Sequence, residues 1–424
     1  MLRFKEGFRL GVATASTQIE GGFVDSNWTN FCDEGHIKDN SHCGIATDHY
    51  NRYLEDARLL KEMGIKDYRF SLEWARIEPE LGQFSYAALN HYRVELLVLK
   101  EMGIKPLLTF YHFSHPMWFE ELGGFTKKEN SIYFLEYVAE VLKVLGDLVD
   151  EYVTINEPNV YAVQSYFFGE WPPMKKSLKL TIDVMNNLAV CHHKAYEMIH
   201  RVLDKHKEVK VGYAHHVRIF EPLEKNNPVH IISTKLFEKA FQLELDKAFM
   251  LAEFNFPMKN IAKTKPGIYC DFIAINYYTR SAVGNFKDTY FEGPKNDLGW
   301  EIYPEGIIEV AKKSYELVAM PIYITENGTC DNQDSFRSKY IYDHLKEIMD
   351  SALPIERYYH WCFVDNFEWK EGNSARFGIV FNDYSTQTRT IKESGHFYSQ
   401  MIKDNGVTDA AYEQYVAHQS YHYD

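Results

Sequence analysis

The stretch Pro321-Ile322-Tyr323-Ile324-Thr325-Glu326-Asn327-Gly328 decides how the chain is read. Its β-branched and aromatic run predicts a short buried strand, and Asn327-Gly328 is a turn signal that ends it. A glutamate at the end of such a strand is poorly placed for packing, because burying its charge is costly unless the charge is compensated. The pattern recurs at Tyr152-Val153-Thr154-Ile155-Asn156-Glu157-Pro158. There an apolar strand again runs out through Thr and Asn into a Glu, and Pro158 cannot continue the ladder.

Outward from these two segments, short apolar strands alternate with amphipathic helices. Strands are expected at 8–13, 65–72, 105–111, 152–155, 210–215, 271–275, from 322, and at 357–363. Helices are expected at 49–63, 86–102, 130–148, 178–205, 228–251, 305–318, 335–349 and 387–401. Eight strand–helix units without a break in composition predict a single domain over 1–424 of class α/β, a (β/α)8 TIM barrel. A doubly wound open sheet competes, but neither G-x-G-x-x-G nor G-x-x-x-x-G-K-[ST] occurs. In a barrel the carboxyl ends of the strands share one face, and Arg69, His112, Glu157, Asn276 and Glu326 all fall at such ends. A polar tail rich in Tyr and His follows from about residue 407, and the sequence gives it no role.

The net charge of −14 argues against nucleic acid or an anionic membrane surface as partner. No run of about eighteen apolar residues occurs, so no membrane span is expected. Six cysteines lie scattered without a zinc-finger spacing, and Met1 to Glu6 lacks the apolar core of a secretion signal. A cytoplasmic protein with free thiols, no cofactor and no metal is therefore expected.

Two carboxyl groups on one barrel face suit chemistry at an acetal carbon. One donates a proton to the departing oxygen, while the other meets the cationic carbon directly or through water. A structural salt bridge is the alternative for either glutamate alone. No G-x-S-x-G elbow is present, and His192-His193 and His215-His216 lack the i, i+4 spacing of a helical zinc site. Both pairs are expected to be core or surface histidines.

Thr154-Ile155-Asn156-Glu157-Pro158 resembles the T-x-N-E-P motif of glycoside hydrolase family 1, the β-glucosidase family, and Ile324-Thr325-Glu326-Asn327-Gly328 resembles its I-T-E-N-G motif. Further matches are Gln18-Ile19-Glu20-Gly21, Tyr68-Arg69-Phe70-Ser71, Asn276-Tyr277-Tyr278-Thr279, Gly299-Trp300-Glu301 and Asp365-Asn366-Phe367-Glu368-Trp369. The resemblance implies a retaining exo-β-glycosidase acting on small β-glucosides, β-galactosides or β-fucosides. Glu326 would be its nucleophile and Glu157 its acid/base, with carboxyls about 5–5.5 Å apart. Arg69 would keep Glu326 ionised, and the charge of Glu326 would hold the pKa of Glu157 up. Gln18, His112, Asn156, Asn276, Tyr278, Glu368 and Trp369 would contact the sugar or the nucleophile. Trp361 would form the floor, and Trp300 would stand on the leaving-group side. Leu10, Thr17, Phe113-Ser114-His115, His360, Cys362 and Asn373 depart from the family pattern without removing a catalytic group. Two alternatives follow from the resemblance, a 6-phospho-β-glycosidase and a silent sugar-binding relative. Glu368, a charge set against a 6-phosphate, disfavours the first, and the presence of both glutamates disfavours the second.

Overall fold

The computed structural model describes residues 1–423. Its centre is a closed eight-stranded barrel. The strands are β1 (Arg9–Ala13), β2 (Asp67–Ser71), β3 (Lys105–Tyr111), β4 (Glu151–Asn156), β5 (Lys210–His216), β6 (Ile273–Asn276), β7 (Ile322–Asn327) and β8 (Ile355–Trp361). Each pairs in parallel with the next, and β8 closes on β1 through Tyr358↔Leu10 and Trp361↔Ala13. All six residues of β7 are buried, as a strand must be when its sheet is covered on both sides.

The covering layer consists of α1 (His49–Glu62), α2 (Tyr86–Glu101), α3 (Ser131–Leu145), α4 (Leu178–Leu203), α5 (Pro228–Glu238), α6 (Gly306–Val318), α7 (Arg337–Asp350) and α8 (Glu393–Asp404). Their starts are set by side chains that accept orphan N–H groups. Ser85 caps α2, Ser177 caps α4 and Asn227 caps α5 ahead of Pro228. Among the described residues, no helix is long and apolar enough to cross a membrane.

Two expected helices are corrected. The helix at 228–251 is broken, since a π-helical segment, Lys239–Leu243, separates α5 from the helix Glu244–Leu251. The helix expected at 387–401 begins only at Glu393. Before it, Val380–Asp383 and Thr388–Ile391 form an antiparallel hairpin, favoured by the β-branched alternation of Thr388, Thr390 and Ile391. The tail from 407 folds back onto the body. Gly406–Val407 pairs with Leu2–Arg3, Asp409–Tyr415 is a helix, and His422–Tyr423 pairs with Pro294–Lys295.

The hairpin is tied to the barrel by charge. Arg389 reaches Asp56 of α1 at 2.9 and 3.1 Å, and both side chains are 2% exposed. The other side of Asp56 meets His49 at 2.7 Å, and His49 meets Glu95 of α2 at 3.0 Å. Burial alone would lower the pKa of His49, but Glu95 and Asp56 override it and push it up to about 10. Two cations thus neutralise two buried carboxylates. Arg389→Met should destabilise the protein by about 3–5 kcal/mol, because a buried charge loses its partner. Urea unfolding at pH 7 measures this, and a loss under about 1 kcal/mol would show that the network carries little stability.

Candidate active site

Between the two glutamates run β5 and β6, so the carboxylates sit at the ends of β4 and β7 with two strands separating them. Glu157 follows β4 directly in a left-handed conformation, φ +43°, and its N–H bonds Ala214 of β5 at 2.7 Å. A non-glycine residue held there stores strain, which collects at functional positions. Glu326 lies in β7 opposite Asn276 of β6. Gly328 is required for the two strand ends to meet, since a Cβ there would lie 1.7 Å from the Trp361 carbonyl oxygen.

Arg69 is fully buried and lies in the middle of β2 rather than at its end as expected, and its long side chain joins these elements. Its Nη1 donates to Glu326 Oε1 and, at 3.2 Å, to the Thr325 carbonyl. Its Nη2 donates to Asn156 Oδ1 at 2.6 Å. Tyr278 donates its hydroxyl to Glu326 Oε2 at 2.6 Å, so each oxygen of Glu326 accepts a hydrogen bond. Glu157 Oε1 accepts from Asn276 Nδ2 at 2.8 Å, and its Oε2 makes no hydrogen bond among the described residues.

The electrostatics of the pair run against the sequence expectation. Burial is the largest influence on Glu326; Arg69 opposes it, the charge of Glu157 reinforces it, and the pKa is pushed up to about 7. Burial would raise Glu157 as well, but His216, Asn276 and Arg69 outweigh it and hold it below the ordinary value. Glu157 faces several N–H groups, while desolvation dominates at Glu326. These values belong to the pair. One proton leaves below the usual carboxylate range and the other near pH 7, so one proton is shared between those limits. Both oxygens of Glu326 already accept hydrogen bonds, whereas Oε2 of Glu157 is free to hold that proton.

The remaining expected residues lie around this centre. Asn156 is fully engaged: its carbonyl accepts from Arg69 and from Asn276 at 3.0 Å, and its Nδ2 meets His112 Nε2 at 3.0 Å. That contact leaves the proton of a neutral His112 on Nδ1, and burial together with Arg69 keeps the ring neutral. The His112 ring stacks near Trp361 and Trp369, at 5.9 and 5.8 Å. Gln18 gives its Nε2 to Asn366, to the Phe367 carbonyl and to Glu368, while its buried Oε1 has no partner among the described residues. Burial pushes Glu368 up to about 8, against hydrogen bonds from Trp361 and Gln18. Trp300 packs edge-on to Tyr278 at 5.8 Å and against Phe377.

Sequence reasoning missed several residues here. His216, expected to be a core or surface residue, ends β5 with Nδ1 3.4 Å from Glu157 Oε1. Phe113 and Trp171 pack on Trp369 at 5.1 and 5.8 Å, with Trp28 behind it at 4.7 Å. Thr17 and Ser114, noted as departures, both donate to buried Glu73, at 2.7 and 2.8 Å. The fold also brings scattered cysteines together, with Cys32 and Cys43 sulfurs 3.6 Å apart beside His42. Both ring nitrogens of His42 are engaged, with the Gly44 N–H and with Asp33, so this cluster offers no free imidazole to a metal.

A parallel barrel with two buried carboxylates at its carboxyl face, one bonded by Arg and Tyr and one with a free oxygen, is the arrangement of a glycoside hydrolase. The profile of glycosyl hydrolase family 1 matches residues 1–407, and the chain belongs to that family of retaining β-glycosidases. Beta-glucosidase A of Thermotoga maritima is 33% identical over 96% of this chain and 99% of its own length. A beta-glucosidase of Agrobacterium sp. is also 33% identical, over 94% of this chain and 95% of its own. The solved structure of the Thermotoga maritima beta-glucosidase in complex with glucoimidazole superposes with a TM-score of 0.89 at 32% identity, covering 96% of this chain and 100% of that one.

The carboxylate coupling is testable directly. Glu157→Gln removes the charge that reinforces the elevation of Glu326, so the Glu326 pKa should fall below about 7 while burial keeps it above the ordinary value. A carbon-13 NMR titration of glutamate-labelled protein reads this. An unchanged value would mean that the two groups do not sense each other.

Proposed function

We propose that the protein is an exo-acting β-glucosidase that removes a terminal, unphosphorylated sugar, with Glu326 as nucleophile and Glu157 as acid/base. The observation that carries this reading is the unequal pair: Glu326 is bonded on both oxygens by Arg69 and Tyr278, and Glu157 keeps Oε2 unbonded. Glu326 attacks the anomeric carbon as Glu157 passes its proton to the glycosidic oxygen, and the aglycone departs. The glycosyl ester on Glu326 is then opened by water. Glu157 takes one of the water's protons, the oxygen bonds to the anomeric carbon, and Glu326 leaves as carboxylate. Forming the ester removes the charge of Glu326, so Glu157 meets the second step ionised and ready to act as base.

The sugar lies, on this reading, over Trp361, with its hydroxyls taken by the unpartnered Gln18 Oε1, by His112 Nδ1–H and by Glu368. Asn156, Asn276 and Trp369 line the same side, and Trp300 stands toward the aglycone. Glucose as the preferred sugar is supported by the names of the relatives. The whole chain is taken as one catalytic unit, and a cytoplasmic setting is supported by six buried free cysteines.

The 6-phosphate alternative needs a revised argument. Burial pushes Glu368 up to about 8 and so favours its neutral form, which weakens the like-charge repulsion expected from the sequence. The discrimination then rests on a missing counter-charge. Lys370 and Lys38, the lysines of this loop region, are paired with Glu170 and Glu371. A bound phosphate would also have to accept a neutral carboxyl in place of a cation.

Glu326→Gly should lower hydrolysis of aryl β-glucosides by roughly four orders of magnitude or more, and azide should restore turnover as the α-glycosyl azide. Recovery of the β-azide alone would exchange the roles of the two glutamates. Comparing kcat/KM for nitrophenyl β-glucoside with that for its 6-phosphate should give a preference of roughly a hundredfold or more for the plain sugar, narrowed only in part in Glu368→Ser, which supplies no counter-charge. Equal turnover in the wild type would instead make the protein a phospho-glycosidase.

A further inference from the structure

His216 stands closer to Glu157 than any role of a core histidine explains. It ends β5, between the two strands that carry Glu157 and Asn276, and its register partner on β6 is Asn276. Its Nε2 lies 3.0 Å from Nη2 of Arg218. A guanidinium can only donate, so Nε2 is the acceptor and the proton of a neutral ring sits on Nδ1. That nitrogen is the one 3.4 Å from Glu157 Oε1.

We propose that His216 is a positioning residue for Glu157: Arg218 locks it as the Nδ1–H tautomer, and in that form it donates to Oε1 and favours the ionised carboxylate. The proposal rests on the reading of Glu157 as acid/base. With Asn276 also on Oε1, proton transfer is confined to Oε2, and the carboxylate left between the two steps is stabilised. The 3.4 Å contact is at the long end for a hydrogen bond, and such contacts tighten when substrate fills a site.

The surroundings fix both the ring and its charge. Arg218 is held from its far side by Ser281 at 3.0 Å and Asp288 at 3.3 Å, both on the hairpin formed by Arg280–Gly284 and Lys287–Thr289. Its backbone is clamped by Gln242 through two hydrogen bonds. Tyr278 stacks on the His216 ring at 5.9 Å, and Phe241 meets it edge-on. The adjacent His215 is turned away and bonded to Asp246 at 2.7 Å. The charged groups facing His216 are therefore Glu157 and Arg218, with Glu326 one tyrosine further. Burial and Arg218 keep the ring below its usual pKa against the pull of Glu157, so His216 acts as a neutral donor.

The test is the alkaline limb of kcat/KM for nitrophenyl β-glucoside, which reports the acid in the free enzyme. His216→Phe keeps a ring but removes the N–H, and the limb should move up by about one pH unit. His216→Asn restores a side-chain N–H and should return the limb toward its wild-type position. An unmoved limb in His216→Phe, or equal shifts in both variants, would overturn the proposal. If neither variant folds, nitrogen-15 NMR of the wild-type histidine rings decides at pH 7. The Nδ1–H tautomer supports the assignment, and an Nε2–H tautomer or an imidazolium overturns it. Glu157→Ala separates the two levels. It should erase the limb, and a surviving limb there would remove the acid/base reading itself.

Discussion

A guanidinium with no access to solvent holds the mouth of the barrel together. Arg69 bonds Thr109 of β3, Asn156 of β4, and both Thr325 and Glu326 of β7, so one side chain from β2 spans the barrel. Burying that charge is tolerable only because a carboxylate and three neutral acceptors surround it. The planar fork matters as much as the charge, since three nitrogens must reach acceptors on different strands at once. A lysine ammonium would supply a point charge without that span.

The constraint passes outward along hydrogen bonds. Asn156, with its carbonyl fixed by Arg69 and Asn276, turns its amide to His112 and so sets the tautomer of that ring. His112 in turn packs near both Trp361 and Trp369, and Trp369 itself sits at φ +47° against Trp28, Phe113 and Trp171. The aromatic layer is therefore positioned from behind by the same network that holds Glu326. A second node, Glu73, gathers Ser16, Thr17 and Ser114 below this layer and leaves no unmatched carboxylate there.

The barrel was legible because its strands are covered on both faces, which makes them continuous apolar runs such as Tyr152 to Ile155 and Ile322 to Ile324. The pair of buried glutamates was legible for the opposite reason, as charges interrupting those runs at their ends. What escaped depends on distance through space. His216 looks like one half of an ordinary histidine pair until β5 is placed beside β4, and Cys32 and Cys43 look unrelated until the loop between them closes. The hairpin before α8 escaped because its strands are short and half-exposed, which dilutes the alternation that would mark them. The direction of the carboxylate shifts could not be read at all, because it turns on which of two glutamates faces N–H groups.

That last point follows from the charge count at the site. Among the described residues, Arg69 is the one guanidinium that bonds any of Glu157, Glu326 and Glu368 at the mouth of the barrel. His112 and His216 both lie below their usual pKa through burial, so neither adds positive charge at neutral pH. Three carboxyls facing one cation cannot all be ionised cheaply in a site of low polarity. Burial drives the elevations to about 7 at Glu326 and about 8 at Glu368, and the shortage of positive charge leaves them largely unopposed. The proton that an acid/base group must carry at neutral pH is thus a property of the whole mouth. It is held there because too few positive charges are present to release it. The donors on each carboxyl then decide where it sits, and among the described residues the one unbonded oxygen of the central pair is Oε2 of Glu157.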